Sequence, residues 1–160
     1  MFEDKQIFLD FDGVILDSEQ KILELKSKNQ ELSWDVFFEF VDWKKLLLDS
    51  NEIHNSLSII RELEARNRQL FILTKVHTLV ESLAKVEYLR SKNIHVPIFF
   101  VPPHVKKSQV YIPTENDVLI DDSLKNINDW NQHNGVGILF DEKAVTNEPR
   151  KIKDLKRLLK

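Results

Sequence analysis

Five short apolar runs recur along the chain, and they constrain its fold more than any other feature of the sequence. Each run has the length of a β-strand. Continuous apolar runs of this length are typical of strands buried on both faces of a parallel sheet. The predicted strands are 7–11, 70–73, 98–101, 118–120 and 136–140, and the predicted helices lie near 52–67, 79–92 and 123–133. This alternation predicts an α/β fold with a doubly wound, Rossmann-like parallel sheet.

The segment from about 17 to 50 interrupts the alternation with two helical patterns and no strand. An insertion directly after the first strand lies over the carboxyl edge of the sheet, where open α/β folds bind their ligands. We therefore expect a small helical cap at this position. Its second pattern is rich in aromatic residues, which we expect either to attach the cap to the core or to stack on a substrate. These residues are Trp34, Phe37, Phe38, Phe40 and Trp43.

Length and composition predict one globular domain that spans residues 1–160. A chain of 160 residues is long enough to bury a core without disulfides, and it contains no cysteine. The formal net charge of −3 argues against broad binding to nucleic acid, which needs a concentrated positive field. No apolar run reaches the roughly 20 residues of a membrane span. Since no signal-peptide pattern follows the N-terminus either, we expect a cytoplasmic protein.

The basic segment 151–160 carries apolar residues at helical spacing, namely Ile152, Leu155, Leu158 and Leu159. We expect a terminal helix that packs on the domain and keeps its lysines in water. Contact of this helix with a membrane or a polyanion is the alternative.

Two predicted strands end in paired carboxylates. Asp10 and Asp12 follow the first strand and precede Gly13, and Asp121 and Asp122 follow the fourth. Carboxylates at the mouth of an apolar strand are costly unless a cation compensates them. Strand alternation would place Asp10 and Asp12 on the same side. Oxygen ligands without a histidine or cysteine cluster indicate magnesium rather than zinc. A calcium EF-hand does not fit, because a strand precedes the first pair.

Two further positions carry weaker signals. Thr74 and Lys75 end the second predicted strand, and Lys106 and Lys107 lie in the loop after the third. Taken alone, such a threonine most often caps a helix or satisfies a turn. A lone loop lysine is usually a solvated charge.

The order of these parts resembles the haloacid dehalogenase superfamily of phosphohydrolases. An acidic pair with glycine, a threonine, a lysine and a second acidic pair follow one another, each at a strand end. The segments ILTK (72–75), KS (107–108) and LIDDSLKN (119–126) are similar to the 5'(3')-deoxyribonucleotidase branch. The resemblance implies a magnesium-dependent phosphomonoesterase that acts on nucleoside monophosphates.

The resemblance also assigns roles. Asp10 would be the nucleophile that forms an aspartyl-phosphate, and Asp12 would protonate the leaving oxygen and then activate water. Thr74 would hold the phosphoryl oxygens, and Lys107, which directly precedes a serine, would neutralise their charge. Apart from the resemblance, Lys75 beside Thr74 could add positive charge at the phosphate, or it could point away because neighbouring residues at a strand end alternate.

The magnesium ligands implied by the resemblance come from both acidic pairs. Asp10 and the backbone carbonyl of Asp12 would contribute from the first pair. Asp121 and Asp122 would contribute from the second, with Asp121 expected as the direct ligand.

Other functions stay open at this point. A non-catalytic binding or scaffold domain could keep the fold, and a phosphatase could act on another phosphorylated substrate. The cap is smaller than is usual in the nucleotidase branch, so a larger phosphorylated substrate would also fit. A phospho-accepting signalling receiver is the poorer interpretation, because its acidic pair precedes its phosphoacceptor.

Overall fold

The computed structural model describes residues 2–160. Its strands are β1 Gln6–Leu9, β2 Leu70–Lys75, β3 Ile98–Val101, β4 Asp117–Asp121, β5 Val136–Phe140 and β6 Lys151–Ile152. Its α-helices are α1 Ser18–Ser27, α2 Trp34–Phe40, α3 Trp43–Asp49, α4 Ser56–Ala65, α5 Leu79–Ser91, α6 Lys107–Val110 and α7 Leu124–Gln132, and a 3₁₀ helix spans Leu155–Leu159. Every helix within this described range is too short or too polar to span a lipid bilayer.

The six strands form one parallel sheet in the order β3-β2-β1-β4-β5-β6. The chain therefore builds outward from β1 in one direction and then returns to build outward from β4 in the other. This is the doubly wound, Rossmann-like arrangement, and it confirms the predicted fold class.

Helices cover both faces of the sheet. Side chains from α4, α5 and the 3₁₀ helix pack in one apolar cluster with Ile7 and Leu9 of β1. Phe8 points to the other face, where it packs with Ile127 and Trp130 of α7. Successive residues of a strand face opposite sides, so an apolar run without alternation fills both layers.

The cap contains three helices where the sequence predicts two. Ser33 accepts a hydrogen bond from the Val36 amide and caps α2. The second predicted helix is two helices, α2 and α3, in the structure. Asp42 precedes α3, and its carboxylate accepts a hydrogen bond from the Lys45 amide and so caps this helix. Phe37 and Trp43 are buried in the same apolar cluster as β1, so these two rings attach the cap to the core.

The cap is joined to the core by two adjacent chain segments. The Asp17 carboxylate accepts hydrogen bonds from the backbone amide and the side chain of Asn51, at 2.6 and 3.0 Å. The Ile53 amide also donates to the Ile15 carbonyl. Asp17 directly precedes α1, but its side chain does not cap the helix, because both carboxylate oxygens serve this junction instead.

The predicted terminal helix over 151–160 is also wrong. Lys151 and Ile152 pair in parallel with Leu139 and Phe140 of β5, and only Leu155–Leu159 turn as a 3₁₀ helix. The open edge of β5 offers unpaired backbone groups, which an extended segment can satisfy and a helix cannot. The apolar residues at 152, 155 and 158 are buried all the same.

Candidate active site

The two acidic pairs meet where the sheet changes direction. β1 pairs with β4, and the Asp10 amide donates to the Ile120 carbonyl at 2.9 Å. Asp10 therefore follows β1 directly beside Asp121, which ends β4. Ligands of open α/β sheets bind at this switch point, outside the carboxyl ends of the strands.

Three carboxylates converge there. Asp10, Asp121 and Asp122 each offer an oxygen, and these oxygens lie within 4.8 Å of one another. Burial, and then the charge of Asp121, raise the pKa of Asp10 well above its usual value, against the opposing charge of Lys107. Burial and the charges of Asp121 and Glu19 raise the pKa of Asp122 to about 7. The cluster thus carries more negative charge than its surroundings neutralise.

Lys107 is the cation of this cluster. Its ammonium lies 2.8 Å from Asp10 Oδ1 and 2.6 Å from Asp121 Oδ2, and the side chain is almost fully buried. Burial opposes its charge, but the charges of Asp10 and Asp121 outweigh burial and raise the pKa of Lys107. Lys106 is exposed and lies 3.6 Å from Asp129 instead. Of these two lysines, the structure brings Lys107 to the carboxylates.

Asp121 and Asp122 have different surroundings. The oxygens of Asp121 accept hydrogen bonds from the Ser123 amide, the Asn126 amide group and Lys107. Asp122 instead lines the cavity above the sheet. Gly13 makes room for it: its φ is +83°, and a Cβ there would lie 2.1 Å from Asp122 Oδ2. Only glycine therefore fits beside the second acidic pair.

Asp12 lines the same cavity as Asp10, although for a different reason than strand alternation. β1 ends at Leu9, so both aspartates lie in the loop beyond the strand. The Asp12 carboxylate accepts a hydrogen bond from Ser18 at 2.5 Å and another from Lys85 at 2.7 Å. It therefore belongs to a second charged group beside the three-carboxylate cluster.

Lys85 is the residue that the sequence analysis missed. Its fully buried ammonium donates to Asp12, to Thr74 Oγ1 at 3.0 Å and to the Lys75 carbonyl at 3.1 Å, and it lies 2.9 Å from Glu81. The signal was present in the sequence. Glu81 and Lys85 stand four residues apart at positions of α5 that face the core, and charges are rarely buried there unless they are paired.

Thr74 and Lys75 point to different places. Thr74 is fully buried and bonds Lys85, and it does not line the cavity that contains Asp10. Lys75 does line that cavity. The sequence predicts both as phosphate ligands, and the structure gives only Lys75 direct access to the cavity.

The cavity has a volume of about 440 Å³ and lies between the sheet and the cap. Trp34 and Phe38 line its cap side, and Leu23 of α1 joins them. Phe38 stacks on His77 with ring centroids 3.6 Å apart, and the His77 ring contacts Glu81 at 2.9 Å. Aromatic and charged groups therefore face each other across one space, as in sites for small molecules.

The donor chemistry of the cluster fits a hard divalent cation. The three carboxylates offer oxygen only, and burial together with the charge of Asp121 raises the pKa of Asp10 and of Asp122, a cost of ionisation that a bound cation would relieve. Magnesium is bound in this way, by a few carboxylates that share the ion with water and substrate.

Solved structures share this architecture over nearly the whole chain. A HAD-superfamily hydrolase from Ehrlichia chaffeensis matches with a TM-score of 0.60 at 9% identity, over 99% of this chain and 95% of that chain. A family IA, variant 3 HAD hydrolase from Entamoeba histolytica matches with a TM-score of 0.64 at 9% identity, over 96% and 94%. The chain has the fold of the haloacid dehalogenase (HAD)-like hydrolases.

Another protein with the HAD-like fold was solved with ligands at its site. The D,D-heptose 1,7-bisphosphate phosphatase from B. bronchiseptica, complexed with magnesium and phosphate, has a TM-score of 0.61 and 18% identity, over 97% of this chain and 98% of that one. No protein-family model and no curated protein matches the sequence. These findings support the HAD-like part of the sequence resemblance, and they do not support the deoxyribonucleotidase branch.

Proposed function

We propose that the chain is a magnesium-dependent phosphomonoesterase that works through an aspartyl-phosphate on Asp10. The observation that carries this proposal is the placement of Asp10, with Lys107 at 2.8 Å, in the cavity that Asp12 also lines. A nucleophile, a cation for the phosphoryl oxygens and a second carboxylate for proton transfer are the parts that the reaction needs. The position of Asp10 and Lys107 at the carboxyl edge of the sheet, where open α/β folds bind their ligands, supports the proposal.

The side chains then divide the steps of the reaction between them. Asp10 attacks phosphorus and expels the alcohol oxygen, which takes a proton from Asp12. Asp12 next removes a proton from water, and the water hydrolyses the aspartyl-phosphate to release phosphate and restore Asp10. Lys107 stabilises the charge that gathers on the phosphoryl oxygens.

Lys85 holds Asp12 in place through these steps. The ammonium and the Ser18 hydroxyl both bind the Asp12 carboxylate, which fixes its direction. Thr74 bonds Lys85 and contributes through it. The resemblance implies a direct contact between Thr74 and the phosphoryl group. Because Thr74 does not line the cavity, that contact would require the phosphate to pass the residues that do.

Magnesium would be held by Asp10 and Asp122, with Asp121 beside them, and would supply positive charge to the phosphoryl oxygens. We propose Asp122 rather than Asp121 as the direct ligand of the second pair. Protein donors already occupy both oxygens of Asp121, whereas Asp122 faces the cavity. The backbone carbonyl of Asp12 remains a further proposed ligand.

Nucleoside monophosphates are the substrates that we propose first. Trp34 and Phe38 line the cavity, which places two aromatic rings beside a leaving group bound above Asp10. Stacking on such rings favours a planar base. The aromatic contacts within the cap also serve its packing, so the preference for a base has to be tested against other phosphomonoesters.

The test is release of inorganic phosphate, first with magnesium and then with EDTA. The substrates are ribo- and deoxyribonucleoside monophosphates and a generic aryl phosphate. We expect turnover that requires magnesium and favours nucleotides. Turnover of the aryl phosphate alone would keep the chemistry and remove the nucleotide preference. Folded protein that binds magnesium and turns over no phosphoester would instead support the scaffold alternative.

Asp10→Asn is the matched control for this assay. The amide keeps the shape of the side chain and removes the nucleophilic charge, so we expect kcat to fall about 1,000-fold or more. The thermal unfolding temperature should stay at or above that of the wild type, because the substitution removes a buried carboxylate from a repulsive cluster. Unchanged turnover in Asp10→Asn would contradict the mechanism.

A further inference from the structure

A second cavity lies next to the one that contains Asp10. It has a volume of about 580 Å³, its lining includes three lysines, and we call it the basic cavity. Lys75, Lys125 and Asn126 line both cavities. Asn126 is held in place by its hydrogen bond to Asp121. A molecule that is bound at Asp10 can therefore extend past these three residues into the basic cavity.

The basic cavity is positive in a protein that is negative as a whole. Lys75, Lys106 and Lys125 line it, and Asp129 is the carboxylate among its lining residues. Asp129 is already engaged, because it accepts a hydrogen bond from Ser108 at 2.7 Å and lies 3.6 Å from Lys106. The formal net charge of the chain is −3, so these cations form a local concentration.

The two lysines shared by the cavities have no carboxylate partner. Within residues 2–160, neither the Lys75 ammonium nor the Lys125 ammonium makes an ion pair with any acidic side chain. Lys125 also lies in the first turn of α7, where the helix dipole disfavours a cation. An anion bound between the two lysines would give both ammonium groups an ion-pair partner. It would also offset the unfavourable position of Lys125 at the start of α7.

The opposite side of the site has the opposite charge. A cavity of about 510 Å³ there is lined by Asp17, Glu19, Asp122, Asp141 and Glu142, with Lys143 as its lysine. Glu19 and Asp122 also line the cavity that contains Asp10. A negative group on the substrate is therefore repelled from this side and attracted to the other.

We propose that Lys75 and Lys125 form a subsite for a second phosphate, so that the preferred substrates are bisphosphorylated small molecules. One phosphate is placed at Asp10 and Lys107, and the second lies between Lys75 and Lys125 at the entrance to the basic cavity. This inference rests on the proposed phosphatase function, because that function places the first phosphate. It ranks compounds with a second phosphoryl group, such as nucleoside 3',5'-bisphosphates, ahead of the nucleoside monophosphates proposed above.

Binding tests the inference separately from turnover. The full chain with Asp10→Asn is titrated by calorimetry, in magnesium, with adenosine 3',5'-bisphosphate against adenosine 5'-monophosphate. A second pair is fructose 1,6-bisphosphate against fructose 6-phosphate. We expect each bisphosphate to bind about tenfold more tightly than its monophosphate, as a charge-assisted contact predicts. Lys75→Gln and Lys125→Gln, each added to Asp10→Asn, should each remove most of that preference.

Lys143→Gln is the matched control, because it removes the same charge from the acidic cavity on the other side. The preference for bisphosphates should persist in this variant. Equal affinity within each pair would overturn the inference, and so would a preference that survives both Lys75→Gln and Lys125→Gln.

Phosphate release by the chain with Asp10 intact distinguishes the two proposals. If no compound is turned over while the bisphosphate preference and its loss are observed, the phosphatase proposal fails and the anion subsite stands. If monophosphates and bisphosphates are turned over equally well and bind equally well, the phosphatase stands and the subsite fails.

Discussion

The charged residues of the site are organised by two buried lysines, each of which bridges several acidic or polar groups. Lys107 joins the strand ends that carry Asp10 and Asp121. Lys85 joins Asp12 to Glu81 and Thr74. A buried charge is tolerated only when it is paired and hydrogen-bonded, so these residues form two separate units whose loss has different consequences.

Lys107 belongs to the first unit and its neighbour Lys106 does not, so substitution of the two lysines should change kcat and stability to different extents. Lys107→Ala removes the cation beside Asp10, and we expect kcat for an aryl phosphate to fall about 100-fold or more. It also leaves two buried carboxylates without their counter-ion, which should lower the free energy of unfolding by about 3 kcal/mol. Lys106→Ala should lower both quantities far less, because Lys106 is exposed. Steady-state kinetics and urea unfolding measure the two effects. Equal small losses in both variants would mean that the phosphate lies elsewhere.

The second unit predicts a dependence on the leaving group. Lys85→Met preserves the length of the side chain and removes the charge that orients Asp12. Phosphate esters of poor leaving groups need protonation by Asp12, whereas an aryl phosphate with an acidic phenol does not. We expect kcat to fall about tenfold or more for an alkyl phosphate and much less for such an aryl phosphate. A purely structural role of Lys85 would lower both rates by the same factor.

At the scale of elements, the cap is packed on the core through buried side chains. The Trp43 side chain of α3 is almost fully buried, and its Nε1 donates to the Phe38 carbonyl of α2 at 3.1 Å. This one residue therefore packs α3 on the core and fixes the turn between α2 and α3. Because Phe38 stacks on His77 in the loop after β2, the position of α2 also decides what lines the cavity.

Truncation of Trp43 tests this coupling. We expect Trp43→Ala to lower the free energy of unfolding by about 3–5 kcal/mol, from the lost burial and the cavity that remains. Phe40→Ala is the control in the same cap, since Phe40 is 80% exposed and its loss should cost under about 0.5 kcal/mol. Urea unfolding measures both changes. Similar values for the two variants would show that the cap folds without contact to the core.

At the scale of the whole molecule, excess negative charge links stability to pH and to metal. The pKa of Asp122 rises from its usual value of 3.8 to about 7 in the folded chain, mainly through burial. A carboxyl group with a raised pKa stabilises the fold fully below its unfolded pKa, and this contribution is lost as pH rises through the folded value. In EDTA, the contribution of Asp122 to stability should therefore decline between pH 4 and pH 7.

Thermal unfolding across that pH range measures the effect. We expect Asp122→Asn in EDTA to lose less stability between pH 5 and pH 7.5 than the wild type loses. Magnesium should stabilise the wild type most at the higher pH, because the ion binds ionised carboxylates. The expectation fails if both proteins show the same pH dependence, or if magnesium stabilises them equally.

The sequence by itself determined the fold class and the place of the site. Apolar runs without alternation can be buried only in a sheet that is covered on both faces, and this required the layers that the structure shows. Polar residues that follow such runs must gather at the carboxyl edge of a parallel sheet. For that reason Asp10 and Asp121 could be grouped although they are far apart in the chain, whereas Lys107 joined them only through the resemblance to the haloacid dehalogenase superfamily. Their catalytic roles, the single domain and the cytoplasmic location stay predictions.

Only the tertiary structure decided which groups each charged side chain contacts. Local patterns do not specify which groups pair across elements, so Lys85 appeared as an ordinary helix residue until α5 packed over the loop of Asp12. The difference between Asp121 and Asp122 depends on donors from α7 and on the space above Gly13. The extended pairing of 151–152 depends on the open edge of β5. The contact of Lys85 with Asp12, the space that Gly13 leaves for Asp122 and the pairing of 151–152 with β5 each involve residues distant in the chain, and their energy is absent from any short window of sequence.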